Sequence, residues 1–92
     1  MATYKKDPDA TVDFKVDWTA WLATVSDAIA SVEWVVTGGL VVEDSSFTAN
    51  TATAFVSGGT EDEIATLTCR ITTSSVPPRV DDRTLNIKII SR

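Results

Sequence analysis

In TVDFKV, residues 11–16, the apolar side chains fall at Val12, Phe14 and Val16, every second position. A helix cannot use that spacing, because its faces repeat every 3.6 residues, whereas a strand places alternate residues on one face. The same period returns along the chain. In AIASVEWVV (28–36), Ala30, Val32, Trp34 and Val36 share one face, and Ser31, Glu33 and Val35 the other. IATLTCRIT (64–72) sets Ala65, Leu67, Cys69 and Ile71 against Thr66, Thr68 and Arg70, and RTLNIKIIS (83–91) sets Leu85, Ile87 and Ile89 against Thr84, Asn86 and Lys88. LVVE (40–43) reads as a short strand and TATAFVS (51–57) as a half-exposed one with no charge or proline to blunt its edge.

Between these runs lie turn formers: TGG (37–39), DSSFTAN (44–50), SGGT (57–60) and SSVPPRVDD (74–82). Proline cannot donate to a ladder, so the last of these reads as loop. Strands this short, with turns every 8 to 15 residues, predict an all-β fold: an antiparallel immunoglobulin-like β-sandwich of about seven strands. Ninety-two residues suffice for one such domain. The sandwich is expected over residues 11–92, behind a polar, strandless N-terminal arm over residues 1–10.

DWTAWL (17–22) interrupts the period, with Trp18 and Trp21 three residues apart. On a strand they would point to opposite faces; on one helical turn behind Asp17 they share a face. Trp21 and Leu22 would then close the open end of the sandwich, with Trp18 beside them. Two other uses stay open: a stacking platform for a sugar or base, and a docking handle on which Trp18 meets another protein.

What the chain lacks removes whole classes of chemistry. It has no histidine, hence no Ser-His or Cys-His nucleophile pair and none of the commonest transition-metal ligand. Its single cysteine, Cys69, excludes an internal disulfide and reads as an inert inward-facing thiol. Thirteen acidic residues against eight basic ones, a net charge of -5, disfavour nucleic acid as a partner. No stretch approaches the ~20 apolar residues of a membrane span. MATYKKDPDA carries no hydrophobic secretory segment, so the chain is expected to stay where it is made. Asp7, Asp9, Asp81 and Asp82 could converge on calcium, but they lack the D-x-D-x-D-G order of a dedicated loop. Asp82 and Arg83 read instead as a local ion pair. No enzyme, cofactor or metal site is expected.

The collinear set KDPDA, DWTxWL, IASVEW, GLVV, SGGT, RITT and DDRTL, from Lys6 to about Ile90, resembles a family of short proteins of tailed bacteriophages described as fiber-tail adaptors. Where that family often has a short Gly-Arg turn after RITT, this chain has Ser74 to Arg79. The resemblance implies an immunoglobulin-like structural protein of the virion tail, synthesised in the host cytoplasm and present in multiple copies. Its partners would be other tail, fiber or neck proteins, or copies of itself. A capsid or neck decoration protein of the same fold and a carbohydrate-binding module on Trp18 and Trp21 are the alternatives. The resemblance supplies no catalytic residue. For partner binding the arm offers Tyr4 as an aromatic anchor and Lys5 and Lys6 as cations for an acidic partner, and Trp18 is the further candidate.

Overall fold

The computed structural model describes residues 3–90. Among these, seven strands and one short helix follow one another as β1 (Thr3–Lys6), β2 (Val12–Asp17), α1 (Thr19–Val25), β3 (Ile29–Val36), β4 (Leu40–Phe47), β5 (Thr51–Gly58), β6 (Ile64–Thr73) and β7 (Val80–Ile89). They form two sheets, ordered β1-β7-β6-β3 and β2-β5-β4. Every pairing is antiparallel except the first, in which β1 runs parallel to β7. This is the strand order of an immunoglobulin-like sandwich whose first strand has joined the sheet of its last.

The alternation of the sequence explains the core. Phe14 and Val16 of β2, Ala52, Ala54 and Val56 of β5, Ala65, Leu67, Cys69 and Ile71 of β6, and Ile87 and Ile89 of β7 are all buried between the sheets. Small Ala52 and Ala54 leave room for larger side chains from the facing sheet. Trp18, Leu22 and Ile29 close one end of this core, beside Val16, Ala52, Cys69 and Ile71.

Several expectations are corrected. Thr3–Lys6 is not strandless arm: it pairs with Asn86–Ile89 and supplies the seventh strand. Met1 and Ala2, the start of the expected arm, and Ser91, the end of the last expected strand, lie outside the described residues. Ala30 is exposed and Ile29 buried, because a register shift between Ile29 and Ser31 resets the period at the start of β3. DSSF is strand rather than turn. A second shift between Val42 and Asp44 bulges β4 at Glu43 and lets pairing with β5 continue to Phe47. TATAFVS has no free edge, since β5 is the central strand of its sheet. VDD opens β7 one residue after the prolines, opposite Arg70, Ile71 and Thr72 of β6.

Gly58 shows how close the backbones come at the far end of the core. Its φ is +78°, and a Cβ there would sit 2.6 Å from the Gly39 carbonyl oxygen. Gly58→Ala should therefore destabilise by more than about 1 kcal/mol, read as a lower denaturant midpoint.

Candidate functional site

The side of the sandwich closed by β1 and β2 is unevenly covered. β1 reaches only as far as Asn86, so on that side no described residue pairs with the first half of β7. In the second sheet β2 is likewise an edge strand, paired only with β5. Between the two edges lies a groove of about 460 Å³ lined by Tyr4, Lys15, Val16, Asp17, Arg83, Thr84 and Leu85.

Its floor follows from local packing. Tyr4 alternates with Lys5, so it turns inward and meets Phe14 edge-on, with ring centroids 5.5 Å apart. Arg83 sits on the inward-facing side of β7, opposite Cys69. Its guanidinium lies 4.4 Å from the centre of the Trp18 ring, and one Nη1–H donates to the Asp17 carbonyl at 2.9 Å. That arm bridges the two sheets. The Asp17 carboxylate turns away to accept from the Thr19 hydroxyl and the Thr19 N–H, bonds that hold its pKa below the usual carboxylate range. Those bonds start α1, whose flanking residue Trp18 itself contributes no side-chain cap.

Four residues were candidates for partner binding, and the structure separates them. Tyr4 is 39% exposed at the groove mouth. Lys5 is exposed on the opposite face of β1. Lys6 is a correction: it is fully buried, with Nζ donating to the carbonyls of Asp7 at 2.9 Å and Gly58 at 2.7 Å. Burial pushes its pKa down, and the nearby Asp7 and Asp9 carboxylates pull it partly back. A cation held this way ties β1 to β5 and presents nothing to a partner.

Trp18 is the second correction. It is fully buried, so it is neither a docking handle nor half of a sugar platform. Trp21, half-buried, meets it edge-on at 5.7 Å and 67°. The roles expected of the two are exchanged: Trp18 with Leu22 is the plug, and Trp21 lies beside them. The Trp18 indole N–H makes no conventional hydrogen bond. Burial pushes the Cys69 thiol pKa up, against a weak opposing contact from that indole, as expected of an inert thiol.

The other carboxylates do not gather. Asp7 and Asp81 stand at opposite ends of β7, and each accepts from the backbone N–H of a near neighbour, Asp9 or Asp82. No group of three metal-ligating side chains occurs among the described residues. Asp82 does not pair with Arg83; its partner is Arg70, at 3.2 Å on the outer face, because successive strand residues face opposite ways.

The sequence reading missed a second polar centre. Asp27 precedes β3 with its side chain 4% exposed and accepts from the Ala28 N–H at 2.9 Å and the Arg79 guanidinium at 3.1 Å. Arg79 arrives from the far side of the diproline, 52 residues away, so no local pattern announces the pair.

No curated protein matches the chain. A family model does, over residues 6–88, described as podophage GP4 fiber-tail adaptor protein gp77. That match takes in β2 to β6, nearly all of β7, and Lys6 at the end of β1. The chain therefore belongs to the podophage GP4 fiber-tail adaptor family.

Proposed function

We propose that this protein is a non-enzymatic structural part of the phage virion that attaches tail fibers to the tail, with several copies in each particle. The observation that carries the reading is the family match across nearly the whole sandwich. The architecture supports it. Among the described residues both sheets end in strands with one unpaired edge, and such edges serve an assembly by accepting contacts from neighbours. The groove has a floor suited to binding but no paired acid and base and no nucleophile beside a base. Its partners are tail and fiber proteins, met through protein surfaces.

Gold-labelled antibody against the chain, imaged on purified particles, tests this directly. Label at the junction of tail and fibers is expected, together with fiberless tails when the gene is deleted. Label confined to the capsid would instead establish a head decoration protein.

A further inference from the structure

We infer that the groove between β2 and β7 receives an extended segment of another virion protein, which adds as a strand to the edge of β7 that no described residue pairs, and carries an acidic side chain. The inference rests on the adaptor reading and names the surface through which it works.

Three observations carry it. First, the edge has main-chain groups to offer. Ile89 exchanges its N–H and C=O with the Asp62–Glu63 side, and Thr73 N–H donates to Arg79 O, so the odd-numbered residues of β7 face β6. By alternation Val80, Asp82 and Thr84 face the other way, beyond the reach of β1. Asp81 Oδ1 already takes the Asp82 N–H at 2.8 Å. The Asp82 carbonyl and both main-chain groups of Thr84 face the groove side with no partner among the described residues. Second, an added strand there lies in line with β1 and sets alternate side chains on an apolar floor of Val16, Leu85 and the Tyr4 ring.

Third, the charge at the rim is the reverse of the chain's. Arg70 and Arg79 are engaged by carboxylates, and Lys6 and Lys88 by carbonyls. Lys15 and Arg83 line the groove with no salt bridge among the described residues, in a chain of net charge -5. The one carboxylate in the lining, Asp17, is turned to Thr19. An inward-pointing arginine discourages an uncharged strand from pairing here and rewards an acidic one. The acid belongs beside Lys15 and Arg83, not at the Asp81 end, where it would meet like charge.

The test uses overlapping peptides tiled across the phage's own tail and fiber proteins, with binding to the full chain measured by fluorescence anisotropy. Bound peptides should alternate apolar residues and carry Asp or Glu, and they should protect the Thr84 amide from hydrogen exchange. Lys15→Glu should weaken them about tenfold or more. Thr84→Pro should abolish binding, since it removes an N–H that faces the free edge and leaves the β6 ladder intact. Lys15→Glu is exposed and keeps the fold, so it decides the matter if Thr84→Pro does not fold. If purified tails or fibers bind the chain while no peptide does and Lys15→Glu changes nothing, the groove is overturned and the adaptor reading stands. If neither peptides nor particles bind, both fail. If the groove instead joins two copies, shown by a dimer that Lys15→Glu disperses, the assigned partner is wrong.

Discussion

Trp18→Ala should remove about 3–5 kcal/mol of stability, the largest loss of any single side chain in this domain. Trp18 is fully buried and meets Trp21 edge-on at 5.7 Å and the Arg83 guanidinium at 4.4 Å. Around it lie Val16, Leu22, Ile29, Ala52, Cys69 and Ile71. Apart from Leu22 in α1, none of these can move into the space without breaking a ladder, since all are held in strands. Small domains have roughly 5–15 kcal/mol in total, so the variant should lose a large fraction of its stability and melt well below the parent protein. Trp21→Ala, at a half-buried position, should cost clearly less, and Arg83→Ala should cost only the ~0.5–1 kcal/mol of an exposed cation–π contact plus one hydrogen bond. Urea unfolding followed by tryptophan fluorescence ranks the three. If Trp21→Ala proves the more damaging, the assignment of Trp18 as the plug is wrong.

That ranking could not have been read from DWTAWL, and the reason is geometric. A helical turn brings Trp18 and Trp21 to one side, which the sequence supports, but which of them enters the core depends on how the turn sits over the sheets. Asp17 fixes this by holding the Thr19 N–H, while the Trp18 N–H donates to the Asn50 carbonyl at 2.8 Å. The second bond comes from a turn 32 residues away. Elsewhere, period two sufficed wherever a strand is regular: β6, and most of β2 and β7, bury the residues their alternation nominates, Val12 and Leu85 only in part. It failed at the register shift that opens β3, where one extra residue exchanges the faces at Ala30, while the shift at Glu43 carries β4 on through DSSF, whose turn formers read as loop. It also failed at Lys6. A lysine beside another lysine reads as solvated, yet its stem lies in the core and its ammonium finds the Gly58 carbonyl. The groove was half legible. Tyr4 stood out as an anchor, but Lys15 and Arg83 became neighbours only when the sheets were stacked.

Acid should weaken this domain through Asp27 before it unfolds the rest. Burial disfavours the Asp27 carboxylate, but donation from the Ala28 N–H, the Thr73 and Ser75 hydroxyls and the Arg79 guanidinium outweighs it and holds the pKa well below the usual range. These groups link the start of β3 to the loop between β6 and β7, for Arg79 N–H also donates to Thr73 Oγ1 at 2.8 Å. Because the pKa is lower in the folded protein than in the unfolded chain, the unfolded chain takes up its proton first as pH falls. The stabilisation is therefore complete above the unfolded value of about 3.9 and drains away below it, toward the lower folded value. Asp27→Asn should melt below the parent protein at pH 7, by more than Arg70→Ala does, since exposed pairs such as Arg70–Asp82 are worth only about 0–1 kcal/mol. Between pH 5 and pH 2 the parent should lose more stability than Asp27→Asn, so that the two melting curves draw together. Thermal melts of both proteins across that range measure the convergence. Parallel curves would mean that Asp27 is not the group that titrates, and that the loop between β6 and β7 is held by its threonine and serine hydroxyls alone.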